Sequence, residues 1–148
     1  MRVTLRAVRS SDLPVFFEHQ VDRQAADLAG HVPRGRAAFD EHWGKIVGAP
    51  DTILRTVEVD GRVAGYVGAF SREGRPEIAY WFGREHWGRG VGRGAVSRFL
   101  ALHRERPIFG CVAVENAASV SILRSCGFET IAEDVGPDGR AEYLLRLD

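Results

Sequence analysis

A chain of 148 residues, 45% hydrophobic and 27% charged, has the composition of one globular domain, long enough to bury about 70% of its unfolded surface. Twenty basic side chains balance twenty acidic ones, which speaks against nucleic acid as the main partner. No apolar run approaches the ~20 residues of a membrane span and no export signal is legible, so the membrane is not an expected partner and the cytoplasm is the expected compartment.

Val3–Ala7 alternates apolar and polar side chains and reads as a first strand. Ser10-Ser11-Asp12 followed by Pro14 is a helix start leading through Val21, and a second helix is expected over Arg36–Val47, ended by Gly48-Ala49-Pro50. Thr52–Val59 and Arg62–Phe70 are β-rich and joined by Asp60-Gly61, a hairpin signal. A turn is expected over Ser71–Pro76, then a strand over Glu77–Phe82. After a glycine-rich stretch, Val91, Ala95, Phe99 and Leu102 fall on one face of a helix. Ile108–Val114 reads as a buried strand. Asn116 and Gly127 are suited to start and stop the helix between them. Strands over Phe128–Ala132 and Ala141–Leu147, joined by a turn at 137–139, close the chain. The expected order is β-α-α-β-β-β-α-β-α-β-β, an α/β mixed sheet with helices on its faces. No repeat or linker divides it, so residues 1–148 are expected to form a single domain.

Cys111 and Cys126 lie in apolar patterns and are expected as buried thiols. His19, His31, His42, His86 and His103 lack metal-ligand spacing, so no metal is expected. Residues 84–106 carry six arginines against Glu85 and Glu105, whereas residues 10–60 carry nine acids against five bases. That asymmetry suits a polyanionic cofactor on one side and a cationic amine on the other, although short windows of solvated charge fluctuate this much by chance.

The stretch His86-Trp87-Gly88-Arg89-Gly90-Val91-Gly92-Arg93-Gly94-Ala95 opens a helix. Glycines let a ligand approach the backbone, and the amides of Arg89 to Arg93 at a helix start can point at one anion. Arg89 and Arg93 can add charge at phosphates. Alone, such a loop is a weak signal, because tight helix packing also selects glycine. Gly90-x-Gly92-x-x-Ala95 even satisfies a dinucleotide fingerprint, with Glu115 as its acid. In that fold, however, the first glycine follows its strand almost directly, and here residues 83–89 intervene. A phosphate loop of the Gly-Lys-Ser/Thr type is absent, since Lys45 is the only lysine.

A second motif, Asn116-Ala117-Ala118-Ser119 followed by Cys126-Gly127-Phe128, completes the first. Read as helix chemistry alone, Asn116 is a cap and Ser119 an ordinary first-turn residue. In this order, strand, glycine loop, helix, strand and short helix, the chain resembles the acetyl-CoA-binding half of the GNAT superfamily of N-acetyltransferases. Glu77-Ile78-Ala79-Tyr80-Trp81-Phe82 and then Trp87-Gly88-Arg89-Gly90 resemble most the branch containing the ribosomal-protein N-terminal acetyltransferases. The resemblance spans nearly the whole chain. It implies the GNAT fold, acetyl-CoA as cosubstrate without a metal, and direct transfer of acetyl to a primary amine, whether a protein N-terminus or a small molecule. Relatives are frequently dimers, so a homodimer is in keeping with it.

The resemblance also implies roles. Arg89, Gly90, Val91, Gly92, Arg93 and Gly94 would hold the pyrophosphate, Trp81 and Phe82 would offer backbone groups to the pantetheine arm, and Asn116 would bond that arm. Many members carry a Tyr four residues before the Gly-Phe pair to protonate the thiolate; this chain has Leu123 there, and Ser119 becomes the candidate acid, as in the ribosomal-type branch. Leu123 also leaves open a non-catalytic acyl-CoA sensor or partner subunit. Glu77 would be the general base, against the plain reading of a solvated charge at a strand start. A base is needed: at pH 7 a lysine-type amine of pKa ~10.4 costs about 4.6 kcal/mol to neutralise and an α-amine near ~8 about 1.4 kcal/mol. An ordinary carboxylate is a poor match to either, so a relaying water or a raised pKa is implied. Glu18, His19, Gln20 and Asp22, in the first helical region, are the expected acceptor pocket.

Overall fold

Two-residue turns organise the first half of the sheet. In the computed structural model, which describes residues 1–29, 32–137 and 139–148, β1 (Val3–Ala7), β2 (Ile53–Val59), β3 (Arg62–Arg72) and β4 (Arg75–Phe82) pair antiparallel in that order. Asp60 and Gly61 both have positive φ, as the expected hairpin requires. The turn expected over Ser71–Pro76 is shorter. Glu73 and Gly74 alone take positive φ, so β3 runs on to Arg72 and β4 starts at Arg75, with Pro76 inside it opposite Ser71. Pro76 is tolerated there because the other neighbour of β4 does not reach that far.

That neighbour is β5 (Ile108–Ala113), parallel to β4 and in register only at Glu77↔Phe109. β7 (Ala141–Leu147) and β6 (Glu129–Val135) complete a seven-stranded sheet of order β1-β2-β3-β4-β5-β7-β6. Towards Phe82 and Ala113, β4 and β5 share no further register pair, and a gap opens in the middle of the sheet.

Helices cover both faces. On one lie α1 (Leu13–Gln20) and α3 (Arg36–Val47), whose Phe16, Phe39 and Trp43 pack with Tyr66 of β3. On the other, α4 (Val91–Leu102) and α5 (Ala117–Ser125) bury Val96, Phe99, Val120 and Leu123 against Val67, Ile108 and Leu145. An additional helix, α2 (Arg23–Ala29), was not expected. Seven residues give too few turns for a periodic pattern, and its start is marked only by Asp22 accepting the Gln24 N–H at 3.1 Å. The apolar stripe of α4 holds at Val91, Ala95 and Phe99, but Leu102 is 67% exposed because nothing covers the last turn. Both cysteines are free and half-buried rather than buried. His31 and Asp138, the latter in the expected 137–139 turn, lie outside the described residues.

Asp12 fixes α1 over the sheet. Its carboxylate accepts the Arg9 N–H and the Thr56 hydroxyl at 2.8 and 2.7 Å and two Arg6 N–H groups at 2.8 Å. Burial pushes the carboxyl up, but these donors outweigh it and hold the pKa at about 2. The helix expected to start here therefore has a firm origin, and α1 can form one wall of a cleft.

Candidate active site

The glycine-rich loop leaves β4 through a short 3-10 turn at Arg84–His86 and then reverses at Gly88 and Gly90, both with positive φ. Gly90 is the residue before α4, and its carbonyl already accepts the Gly94 amide at 3.0 Å. The amides of Val91, Gly92 and Arg93 therefore form the open positive end of the helix, a fit for a phosphate group. A Cβ on Gly92 would come within 2.5 Å of Ile122 Cδ1, so α5 crosses close to the helix start.

A cleft of about 350 Å³ runs beside this helix start, lined by Tyr80, Trp81, Phe82, Trp87, Asn116 and Ser119 together with Gly90–Arg93. It gathers most of the expected cofactor residues, but not Arg89 or Gly94. The Gly94 amide is spent on Gly90, and its α-carbon faces Val3 and Arg98 instead. The Phe82 carbonyl accepts the Trp87 indole N–H at 3.0 Å, and the Trp81 indole donates to the His19 carbonyl at 3.2 Å, tying β4 to α1. Asn116 caps α5 by accepting the Ser119 N–H at 3.2 Å, which leaves its amide N–H groups for another acceptor.

A second cleft, about 330 Å³, opens on the α1/α3 side of the sheet and passes through the gap between β4 and β5. Tyr80, Trp81, Asn116 and Ser119 line both clefts, so the two meet there. At the junction the Tyr80 and Ser119 hydroxyls lie 2.6 Å apart. Burial pushes the Tyr80 phenol up to about 12 despite the Ser119 contact, so it stays protonated at neutral pH.

Glu77 faces the second cleft and is only 3% exposed. Its Oε2 is 3.3 Å from Arg72 Nε, an ion pair whose geometry falls short of a hydrogen bond, so that buried oxygen has no hydrogen-bond partner within the protein. Burial, with the charge of Glu77 adding to it, pushes the neighbouring Cys111 thiol up to about 11. A protonated thiol and a carboxylate thus share this wall.

Of the four residues expected to receive the acceptor, only Gln20 lines this cleft, and its side chain is occupied. It accepts the Arg34 N–H at 3.1 Å and donates to the Arg34 carbonyl at 2.9 Å. Glu18, His19 and Asp22 line a separate cleft with Arg84 and Glu85, where Asp22 pairs with Arg84 at 3.0 Å. Burial lowers the pKa of His19. The cleft is instead built from Arg34, His42, Trp43, Tyr66 and Arg72, and none of these stood out by spacing. Tyr80 was readable as a strand aromatic only; the available signal was that an inward tyrosine hydroxyl needs a partner.

Among the described residues no group of three or more His, Cys, Asp or Glu side chains is placed to hold a metal ion, and no helix is long and apolar enough to cross a membrane.

A family model described as an acetyltransferase (GNAT) domain matches residues 2–129. No curated protein matches the sequence. Among solved structures, a spermidine N-acetyltransferase from Vibrio cholerae, in complex with CoA and spermine, superposes with a TM-score of 0.85 at 21% identity over 98% of this chain and 94% of that one. An aminoglycoside acetyltransferase in complex with coenzyme A gives 0.78 at 19% identity, over 97% and 94%. A GNAT-family acetyltransferase from Bacillus anthracis gives 0.84 at 15% identity, over 99% and 95%.

Proposed function

Because the chain belongs to the acetyltransferase (GNAT) domain family, we propose that it is an N-acetyltransferase that moves acetyl from acetyl-CoA directly to a primary amine at the junction of its two clefts. The observation that carries this reading is that meeting point. The helix-start cleft and the Glu77 cleft converge on Ser119 and Tyr80, so a thioester in one and an amine in the other would be held face to face. Such proximity supplies about 7–11 kcal/mol of the barrier to a two-substrate reaction.

The amides of Val91, Gly92 and Arg93 take the pyrophosphate, with the Arg93 side chain beside it, while Asn116 and the β4 backbone at Trp81 and Phe82 guide the arm. Glu77 receives the amine proton, directly or through one water, as the C–N bond forms. Ser119 donates its hydroxyl hydrogen bond to the sulfur as the C–S bond breaks, and Tyr80 donates in turn to Ser119 Oγ. A phenol near 12 does not surrender its proton fully to a thiolate; its part is to polarise the serine. Arg89 remains in the loop and Gly94 in the first turn of α4, both shaping this site. The acceptor is a primary amine, on a small molecule or at a protein N-terminus.

The second reading, a non-catalytic acyl-CoA sensor, is favoured by Leu123, which is fully buried where many relatives carry a tyrosine. Free-thiol release from acetyl-CoA separates the two: the transferase reading requires release that depends on added amine, and a sensor releases none. Ser119→Ala and Tyr80→Phe are each expected to lower kcat about tenfold, the worth of one hydrogen bond made to developing charge. Acetyl-CoA affinity should stay unchanged. The double variant should be no slower than Ser119→Ala, since Tyr80 acts through the serine. Wild-type kcat in both single variants would remove the pair from the mechanism.

A further inference from the structure

Among the described residues, the acidic side chains that would recognise a polycation are absent from the acceptor cleft. Glu77 is its one carboxylate among the described lining residues, and Arg34, Arg72 and His42 share the walls with it. Glu77 is itself already beside Arg72. The nine acids of residues 10–60 point elsewhere. Asp12 and Glu58 bind Arg6, Asp22 binds Arg84, Asp40 binds Arg36 and Glu41 pairs with Lys45. Asp60 accepts the Arg2 N–H, Asp51 accepts the Thr52 hydroxyl, and Glu18 and Asp27 line a separate surface cleft with Asp22. The acidic side expected from the sequence is therefore not the acceptor cleft.

A triamine or an aminoglycoside would bring several ammonium groups into a space with one paired carboxylate and two guanidinium groups. Like charge in a partly desolvated cleft is repulsive, and nothing there compensates it. Arg34 has the opposite need. Its N–H and carbonyl are both clamped by Gln20, so its place at the cleft rim is fixed, yet its guanidinium has no acceptor among the described residues. It lines the cleft together with Tyr66: burial raises the Tyr66 phenol to about 12, and the Arg34 charge pulls the other way. Trp43, Tyr66 and Phe70 form an apolar wall of the same cleft.

We infer that the acceptor is a small primary amine that carries an anionic group, its amine directed to Glu77 and its anion held by Arg34, with an apolar portion against the aromatic wall. This rests on the transferase reading above. A guanidinium fork suits carboxylate and phosphate alike, so both belong in the test.

Amine-dependent thiol release is compared for γ-aminobutyrate, aminopropyl phosphate, the neutral γ-aminobutyramide and the diamine putrescine, using the wild-type protein and Arg34→Gln. The anionic amines should exceed the amide in kcat/KM by about tenfold, as expected for one charge-assisted contact, with putrescine slowest. Carboxylate above phosphate, or the reverse, identifies which anion fits. Arg34→Gln should erase the anionic advantage, bringing kcat/KM for both anionic amines down to the level of the amide. Putrescine as the best acceptor, or an anionic preference untouched by Arg34→Gln, overturns the inference and leaves the transferase reading standing. Absence of thiol release with all four amines and with N-terminal peptides overturns both.

Discussion

Gly92→Glu is expected to weaken acetyl-CoA binding by at least about 100-fold, a loss of roughly 2.7 kcal/mol or more. Gly92 sits in the first turn of α4, where the amides of residues 91–93 have no intrahelical acceptor and the helix end carries partial positive charge. A carboxylate at this position competes with the pyrophosphate for those amides and repels it at contact distance. The added Cβ alone is a lesser change: it meets Ile122 at 2.5 Å, but only at the tip of a flexible side chain. Gly92→Ala therefore provides the control, sharing the Ile122 contact without the charge. Calorimetric titration with acetyl-CoA, beside a thermal melt of each variant, should show near-normal melting for both and lost binding for glutamate alone. Unchanged affinity in a folded Gly92→Glu protein would mean that the pyrophosphate lies elsewhere.

Glu77→Gln is expected to lower turnover by about 10²- to 10⁴-fold, the usual contribution of a positioned general base, while acetyl-CoA affinity is retained. Glutamine keeps the shape of this buried side chain and removes its capacity to accept a proton. The deficit should be steepest at low pH. The neutral fraction of the amine falls tenfold per pH unit below its pKa, so removal of the ammonium proton then depends most on the enzyme. Arg72→Gln, tested alongside, separates loss of the base from loss of its ion-pair partner: it should leave most of the turnover in place. A Glu77→Gln rate equal to wild type at every pH would take Glu77 out of the chemistry.

The features legible in the sequence are those set by local backbone chemistry. Asp60-Gly61 makes its hairpin because both residues accept positive φ. Asn116 and Gly127 bound α5 because one side chain caps an amide and the other backbone tolerates the left-handed region. The glycine loop before α4 belongs to the same class. Where local signals compete, boundaries shifted: Ser71–Pro76 contains several turn-forming residues, and only Glu73-Gly74 turns. The acceptor cleft was not legible, because it depends on which strands part and which charges find partners. Tyr80 and Ser119 are 39 residues apart, and their 2.6 Å contact arises only once α5 packs beside β4. The surplus of acids in residues 10–60 suggested a cationic acceptor, yet the fold pairs most of them with arginines, a lysine or main-chain amides and places none of them in the acceptor cleft. Arg34, hidden in an irregular segment, reaches the cleft because Gln20 holds its backbone.

Direct transfer within a complex of both substrates is the central claim, and two hydroxyls at the junction with a thiol in the Glu77 cleft make a covalent acetyl-enzyme the natural rival. The deciding measurement is initial-rate kinetics with acetyl-CoA and an accepted amine both varied, together with the intact mass of protein incubated with acetyl-CoA alone. Direct transfer predicts intersecting double-reciprocal lines and a mass without an added acetyl group. Parallel lines and a stoichiometric acetyl adduct on the protein would contradict it.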